Sequence, residues 1–362
     1  MRLLTLVMCI ILWHSVSAQS DTLRFSEELT VVKALGVDSL GYIDPDVLKA
    51  YNKGVKQLEN GEYEESITSF STSIDLKSDF SKAYYNRAIA KMHLNKKDEA
   101  ITDFITFTEL DTLPSEGFFQ AAILLFESSR YDEALSLLDK AIEANESDAR
   151  FNYQRGVIYY LEEDYTMAEK EFSTALEKAP KNAYALNDRA SCMKQLGELE
   201  NAIIEYKKAV AADPEFSIAW NNLGSALRDF TFYDEAIEAY SNSIAYDADN
   251  AVYLNNRGYA YYLKGDYTRA MNDFDEATLI DEQYAFAFNN KAATLIAMQE
   301  YTDAIVEADI AIMLNPSYGY AYLNRGIAKE MVRDKKGACA DWKKAEDFGV
   351  QSASAHLSNT CN

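Results

Sequence analysis

The chain has 362 residues, of which 48% are hydrophobic and 26% charged, a composition typical of a folded protein rather than a disordered one. Its 35 Lys and Arg against 58 Asp and Glu give a formal net charge of −23. Because such a charge repels phosphate backbones, the composition excludes DNA or RNA as the expected partner.

The first element, residues 1–18, has the pattern of a secretory signal peptide. Arg2 precedes an apolar run that ends in Val16-Ser17-Ala18, with small residues where cleavage is determined. The run is too short for a good membrane span, and no later run approaches the ~20 residues that a span needs. We therefore expect an exported, soluble protein without a membrane span.

Residues 19–46 are predicted to cover the front of the structure that follows, as a mixture of turn and short helix. The segment ends in Asp44, which precedes Pro45. An aspartate before a first-turn proline is a strong signal for the start of a helix. We expect the first long helix to begin there.

From Val47 to Ser352 the sequence aligns with itself, without gaps, after a shift of 34 residues. We number positions 1 to 34 in each repeat, with position 1 at Val47. The nine repeats are 47–80, 81–114, 115–148, 149–182, 183–216, 217–250, 251–284, 285–318 and 319–352. Residues 353–362 are predicted to complete a C-terminal capping helix.

Small residues recur at two positions of the repeat, and a ring usually follows at a third. Position 8 holds Gly54, Ala88, Ala122, Gly156, Ala190, Gly224, Gly258, Ala292 and Gly326. Position 20 holds Ser66, Ala100, Ala134, Ala168, Ala202, Ala236, Ala270, Ala304 and Ala338. Position 24 holds Phe70, Phe104, Phe172, Tyr206, Tyr240, Phe274 and Trp342. This spacing predicts two antiparallel helices in each repeat, which touch at the small residues while the ring fills the space beside them.

These patterns resemble the tetratricopeptide repeat, whose motif reads W/L-x-x-L/R-G-x-x-Y, G-x-Y-x-x-A and F/Y-x-x-A before a late proline. The repeat 217–250 matches closely, with Trp220, Leu223, Gly224, Tyr233, Ala236 and Tyr240. The resemblance implies an all-α fold: a right-handed α-solenoid of nine tandem 34-residue helix-turn-helix repeats, with a C-terminal capping helix. First helices would line a concave inner face, and each repeat would be stabilised by its neighbours.

Three cysteines follow the predicted signal peptide. If the chain folds back near residues 348–350, antiparallel helices bring Cys339 and Cys361 abreast. Because export permits oxidation, we expect a disulfide between them in preference to two free thiols. Cys192 is predicted to be a small buried residue rather than a nucleophile.

The sequence offers no catalyst and no cofactor site. Beyond residue 18, histidine occurs only at His93 and His356, which are far apart. The chain contains no GxGxxG, phosphate loop, Cys-x-x-Cys or His-Glu-x-x-His motif. We therefore predict a protein that is not an enzyme and has no catalytic residues, bound metal or cofactor.

Asparagine recurs at position 6, near the start of each first helix. An amide stands there in eight repeats and Asp188 in the other. Position 5 holds rings in the first four repeats and asparagine in the next four. An amide both donates and accepts, so the column can grip the backbone of an extended peptide, or it can brace neighbouring repeats. The sequence leaves both interpretations open.

The peptide-binding interpretation defines a set of candidate residues. Amides of position 6 are Asn86, Asn222, Asn256, Asn290 and Asn324, and those of position 5 are Asn221, Asn255 and Asn289. Candidate rings are Tyr85, Tyr153, Tyr160, Tyr259 and Tyr262. The family's carboxylate clamp is disfavoured, because position 9 is apolar in the first four repeats: Val55, Ile89, Ile123 and Val157.

The function predicted from these features is a non-catalytic scaffold that binds an extended segment of a partner protein in its groove. The signal-peptide junction and the closing pattern KKGACADWKKAEDFG resemble envelope proteins of Bacteroidota, which implies the periplasm, with secretion as the alternative. A second hypothesis is a rigid spacer or assembly factor in an envelope complex that uses an acidic convex face. The sequence leaves the partner's identity and the oligomeric state open.

Overall fold

The structure, a computed structural model, describes residues 43–361. The predicted signal peptide and most of the segment 19–46 lie outside the described residues. Within residues 43–361, all regular secondary structure is helical, as predicted. The first helix begins at Pro45, and the Asp44 side chain accepts a hydrogen bond of 2.8 Å from the Asp46 backbone N–H. The N-cap read from the sequence is therefore present.

The helices follow the nine repeats, two to a repeat, and we call the two helices of each repeat hairpins 1 to 9, each with an odd-numbered first helix and an even-numbered second helix. The helices of hairpins 1 to 4 are α1 Pro45–Glu59, α2 Tyr63–Leu76, α3 Ser81–His93, α4 Lys97–Leu110, α5 Ser115–Glu127, α6 Tyr131–Ala144, α7 Ala149–Leu161 and α8 Tyr165–Lys178. Those of hairpins 5 to 7 are α9 Ala183–Gln195, α10 Leu199–Ala212, α11 Ser217–Asp229, α12 Tyr233–Tyr246, α13 Ala251–Lys264 and α14 Tyr267–Ile280. The last are α15 Ala285–Met298, α16 Tyr301–Leu314, α17 Gly319–Met331, α18 Lys335–Asp347 and the short α19 Ser352–His356.

The described chain divides into two compact units, residues 43–192 and 193–361, called here the first and second unit. In each unit the main helix contacts lie within a hairpin or between successive hairpins. A fold built from such local contacts gains its core by stacking, which is how tandem helical repeats are stabilised.

The turn inside each hairpin always places position 15 in the left-handed backbone region. Glycine occupies it in hairpins 1, 5 and 7, at Gly61, Gly197 and Gly265. The six other residues are Asn95, Ser129, Glu163, Thr231, Gln299 and Arg333, with φ between 57° and 67°. The turn is closed by the N–H of position 16, as in the 2.9 Å bond from Asp266 N to Tyr261 O.

The predicted contact between small residues and rings is present in both units. A Cβ built on Gly54 would lie 2.7 Å from the Phe70 ring, in the first unit. In the second unit a Cβ on Gly224 would lie 2.8 Å from Tyr240. Both rings are fully buried. The first and second helices therefore approach so closely at position 8 that only a small residue fits.

A salt bridge between positions 7 and 23 closes most hairpins, and the sequence reasoning missed it. In the first unit the pairs are Arg87–Asp103 at 2.7 Å and Arg155–Glu171 at 2.9 Å. In the second unit they are Arg257–Asp273 at 2.7 Å, Lys291–Glu307 at 2.9 Å and Arg325–Asp341 at 2.6 Å. Hairpins 3 and 6 carry the apolar pairs Ala121/Leu137 and Leu223/Ala239 at these positions. Because positions 7 and 23 change together from a charged pair to an apolar pair, the sequence contained a signal for this contact.

The C-terminal cap consists of α19 and a single π-helical turn, Leu357–Cys361. The structure pairs Cys339 with Cys361, and their Cα atoms lie 5.8 Å apart, a separation that suits a disulfide. The His356 ring stacks on Trp342 with centroids 4.7 Å apart, and burial lowers the pKa of His356. The cap thus covers the indole of hairpin 9.

Three further observations concern the sequence-based expectations. Cys192 is fully buried, and burial raises the pKa of its thiol. Within residues 43–361, no helix combines the length and the apolar character that crossing a bilayer requires. In the same residues, no group of three or more His, Cys, Asp and Glu side chains is arranged to hold a metal ion.

Candidate peptide-binding face

The candidate site is built from first helices, which lie against the next first helix within each unit. In the second unit α11 contacts α13, α13 contacts α15, and α15 contacts α17. Positions 2, 5, 6, 9, 12 and 13 share one side of each first helix, because they are spaced by three or four residues. We call this side the inner face.

In the second unit, amide hydrogen bonds join each first helix to the next one, always between the same two repeat positions. The position 6 amide donates to the position 5 amide of the preceding hairpin. Asn256 Nδ2 lies 2.9 Å from Asn221 Oδ1, and Asn290 Nδ2 lies 2.8 Å from Asn255 Oδ1. The last bond of this amide ladder is Asn324 Nδ2 to Asn289 Oδ1, at 2.9 Å. Each bond links two hairpins.

In the first unit the same two positions use a tyrosine hydroxyl. Asn86 Nδ2 donates to Tyr51 Oη at 2.8 Å. The Tyr153 hydroxyl donates to Asp188 Oδ2 at 2.8 Å. The change from ring to asparagine at position 5, seen in the sequence, therefore exchanges one hydrogen-bond partner for another. It does not exchange one ligand surface for another.

The ladder corrects our expectation that the whole candidate set faces a groove. Eight candidates are buried, with 0–6% of their surface exposed: Asn86, Asn255, Asn289, Asn290, Asn324, Tyr85, Tyr153 and Tyr259. Tyr85, for example, packs on Phe104 at 5.3 Å between ring centroids. Buried side chains that are bonded to or packed on their neighbours leave almost no surface for a peptide to contact. The geometry thus favours the bracing interpretation for the ladder.

Five candidates keep part of their surface exposed: Asn221, Asn222, Asn256, Tyr160 and Tyr262. Tyr262 is the most prominent ring among them in the second unit. It stacks on Tyr259 with centroids 6.0 Å apart and planes within 9°, and it also contacts Tyr267 at 5.6 Å. Burial raises the pKa of Tyr262 to about 12, so its hydroxyl is a neutral donor at pH 7.

Two partly exposed rings at position 2 were not among the sequence candidates. Phe286 and Tyr320 lie near the starts of α15 and α17. Both contact Tyr318, with centroid distances of 5.0 Å and 6.3 Å. The signal was available, since the two residues occupy the same repeat position. The inner face of the second unit therefore carries rings at position 2 and at position 12.

Position 12 also places two cations near the start of the second unit. Lys194 Nζ lies 2.8 Å from Asp229 Oδ2. Arg228 donates from Nε at 3.2 Å and from Nη2 at 2.9 Å to Asp229 Oδ1. The Arg228 guanidinium also lies 5.6 Å from the Tyr259 ring centroid, within the range of a cation–π contact. Sequence reasoning missed this cluster.

The electrostatics of the cluster follow from its burial. The side chain of Arg228 is 7% exposed, that of Lys194 14% and that of Asp229 32%. Burial lowers the pKa of Lys194, which Asp229 opposes. Burial also opposes ionisation of Asp229, but Arg228 and Lys194 outweigh it and hold the pKa of this carboxyl below its usual range. The two basic side chains thus stabilise the ionised form of the one carboxylate that they share.

The inner face of the first unit carries rings at position 12. Phe126 and Tyr160 are partly exposed. Tyr160 contacts Tyr165 at 5.3 Å and Phe126 contacts Tyr131 at 5.8 Å between ring centroids. Each ring thus leans on the first residue of its own second helix, which fixes its orientation.

Comparison with protein families identifies the repeats. A family model described as tetratricopeptide repeat matches residues 119–183, 162–215 and 221–287, and a second model of the same description matches residues 81–112. The chain is a tetratricopeptide repeat protein. Of the motif residues quoted for the repeat 217–250, all but Trp220 fall within these matches.

Solved structures of other proteins share the fold, and the first two named here are described as tetratricopeptide repeat proteins. One from Parabacteroides merdae has a TM-score of 0.56 and 19% identity over 68% of this chain and 99% of that one. The C-terminal part of one from Cytophaga hutchinsonii has a TM-score of 0.52 and 21% identity over 66% and 99%. The pilF protein of Pseudomonas aeruginosa has a TM-score of 0.51 and 19% identity over 57% and 94%. A comparison with curated proteins found no match.

Family membership sets the general role of this tetratricopeptide repeat protein. Proteins of this class are generally scaffolds without catalytic activity, and they bind protein partners. Two of the organisms named, Parabacteroides and Cytophaga, agree with the resemblance to Bacteroidota proteins. The inner face of this chain carries rings, partly exposed amides and a buried charge cluster.

Proposed function

We propose that this tetratricopeptide repeat protein is a non-catalytic scaffold that binds an extended segment of a partner protein on the inner face. The observation that carries the proposal is the row of partly exposed rings at positions 2 and 12 of the second unit. These rings are Phe286 and Tyr320 at position 2 and Tyr262 at position 12. Rings of this kind supply large contact areas at little entropic cost.

The amide ladder has a supporting role in this proposal. It fixes each first helix to the next, so that the rings stand at a constant spacing before a ligand arrives. A face held in its binding geometry loses less conformational entropy on association. The partly exposed Asn222 and Asn256 are then the amides placed to meet a peptide backbone.

We also propose that the protein is exported and acts in the periplasm, which rests on the sequence of residues 1–18 and on the resemblance to envelope proteins. The competing role is that of a rigid spacer in an envelope complex. A net charge of −23 suits contact with a basic partner through the outer helices.

Selection from a library of random extended peptides, followed by fluorescence anisotropy with the enriched peptides, tests the scaffold function. Tyr262→Ala and Tyr320→Ala should each weaken binding by about tenfold or more, as truncation of an interface ring typically does. The matched control is Tyr246→Ala, because Tyr246 is 49% exposed and lies on the second helix α12.

The two roles give different results in this experiment. Equal weakening by the Tyr246 variant and the inner-face variants would place binding elsewhere than the inner face. Failure to enrich any peptide would favour the spacer. In either case circular dichroism must first establish that the variants keep their helical content.

A further inference from the structure

We infer that the cluster of Lys194, Arg228 and Asp229 receives a carboxylate of the bound peptide, an inference that rests on the proposed function. Two cations share one carboxylate in this cluster. Within residues 193–361, the only carboxylate in contact with either cation is that of Asp229. Within these residues the cluster therefore has one carboxylate for two basic side chains, in a largely buried place.

An unbalanced buried cation is costly, which is why buried charges are usually paired. The other cations of the second unit's first helices follow that rule. Arg257 and Arg325 each contact a buried aspartate at position 23, and Lys291 contacts Glu307. Lys329 shares Asp341 with Arg325, but Arg325 also contacts Asp309, whereas within residues 193–361 Lys194 and Arg228 share Asp229 alone. An incoming anion would restore the balance.

The fold itself does not require charge at position 12. The same position of the next two hairpins holds Tyr262 and Ile296, and both are accommodated on the inner face. Uncharged side chains therefore satisfy the packing there. The two cations are better explained by what they bind than by what they support.

The geometry also indicates which carboxylate fits. Asp229, at the mouth of the cluster, occupies only one side of the guanidinium, through Nε and Nη2. The Tyr259 ring lies against the guanidinium, and Tyr262 stacks behind Tyr259. A peptide carboxylate at Arg228 would thus bring the neighbouring residue beside the partly exposed Tyr262 ring. We assign the site to an acidic residue, or a C-terminal carboxylate, next to an apolar or aromatic side chain.

This site differs from the carboxylate clamp that the sequence disfavoured. Its cations stand at position 12 of two successive hairpins, whereas the clamp uses lysine and asparagine at other positions of the groove. The recognising group is a guanidinium whose orientation is fixed by Asp229. Arginine presents planar donors in a geometry that matches a carboxylate.

The experiment uses peptides selected on the wild-type chain from a random library. An enriched peptide is synthesised with its acidic residue, with the amide equivalent in its place, and with a free or amidated C-terminus. We expect the acidic form to bind about tenfold more tightly or better, as for a charge-assisted hydrogen bond. Comparison of the peptides with a free and with an amidated C-terminus shows whether the bound carboxylate is that of an internal side chain or that of the C-terminus.

Variants of the cluster test whether it causes the preference for the acidic peptide over its amide form. In Arg228→Gln and Lys194→Gln the acidic and amide forms should bind with similar affinity, and Arg228→Lys should retain part of the difference. The matched control is Lys208→Gln, since Lys208 lies on the second helix α10 and its side chain is 56% exposed. It should keep the full preference.

A structural role for Arg228 predicts something else. If the cluster served the fold, Arg228→Gln would lower the denaturation midpoint, whereas a cation kept for a ligand can be replaced without loss. Two results would overturn the inference and leave the scaffold function intact: equal binding of the acidic and amide peptides, or a preference unchanged in both cation variants. If no peptide is enriched, the scaffold function fails and the inference fails with it.

Discussion

Single residues decide how each hairpin closes, and the chain uses two solutions at one place. Positions 7 and 23 hold a cation with a carboxylate in hairpins such as 7 and an apolar pair in hairpin 6. Arg257 meets Asp273 through two bonds of 2.9 Å and 2.7 Å. Because Asp273 is 5% exposed, its charge depends on this partner.

Asp273→Asn should lower the free energy of unfolding by about 2–4 kcal/mol, since it leaves Arg257 with no charge partner of equal quality. Urea denaturation followed by circular dichroism measures the change. The double variant Arg257→Leu with Asp273→Ala copies the pair Leu223/Ala239 of hairpin 6. It should lose clearly less than the single variant. If both lose the same amount, the pair does not act as a unit.

Backbone geometry at position 15 gives a second prediction at this scale. Thr231 has a φ of 67°, and a β-branched residue in the left-handed region is strained. Thr231→Gly should therefore raise the free energy of unfolding by about 0.5–1 kcal/mol, after the entropy that glycine adds to the unfolded chain. Thermal unfolding measures this change in the free energy of unfolding. Gly265→Thr, at the same position of the next hairpin, should have the opposite sign, and a loss in Thr231→Gly would refute the strain.

At the scale of helices, the amide ladder couples one hairpin to the next. Asn290→Ala leaves the Asn255 carbonyl oxygen buried without its donor, which should cost about 1–3 kcal/mol in the free energy of unfolding. Asn256 makes the equivalent bond but is partly exposed, so water can replace it. Asn256→Ala should cost less than half as much. Equal costs in chemical denaturation would mean that burial does not set the strength of the ladder.

The ladder also marks the limit of what the sequence could predict. The 34-residue period and the small residues at positions 8 and 20 predicted the helices and the sides on which they touch. The asparagine column was visible too, but sequence alone did not decide whether it faced a ligand or a neighbour. That depends on the angle between successive first helices, which brings position 6 beside position 5. Lys194 and Arg228 both stand at position 12, so the repeat pattern contained a signal for their cluster that the sequence reasoning missed.

The cap gives a prediction that belongs to a single element. The bond between Cys339 and Cys361 closes a segment of 22 residues, and a loop of that size is worth about 3 kcal/mol in the chain-entropy account. Cys361→Ser should let α19 separate from hairpin 9, with a red-shifted emission from Trp342 as His356 leaves its ring. Dithiothreitol should reproduce this shift in the wild type.

Cys192→Ala is the control for that experiment, because Cys192 is buried and has no role in the cap. It should respond to reductant as the wild type does. If the emission of the wild type did not change on addition of reductant, packing and not the covalent link would hold the cap in place.

For the whole molecule, the local character of the contacts governs how stability is distributed. Helices meet within hairpins or between successive hairpins, so no single centre holds the chain together. In such an array the total is close to a sum of repeat stabilities and interfaces between neighbours. The position 15 turns, which recur in every hairpin, and the amide ladder, which recurs between hairpins of the second unit, both contribute to this sum.

Removal of residues 319–361, which form hairpin 9 and its cap, tests this additivity. The shortened chain should stay folded, with a helical signal reduced in proportion to the residues removed and a lower denaturation midpoint, because hairpin 8 loses one neighbour. Hydrogen exchange should show the loss of protection concentrated in α15 and α16 and fading toward hairpin 6. A uniform loss of protection across hairpins 1 to 8 would mean that the chain folds as one cooperative body, and the additive account would be wrong.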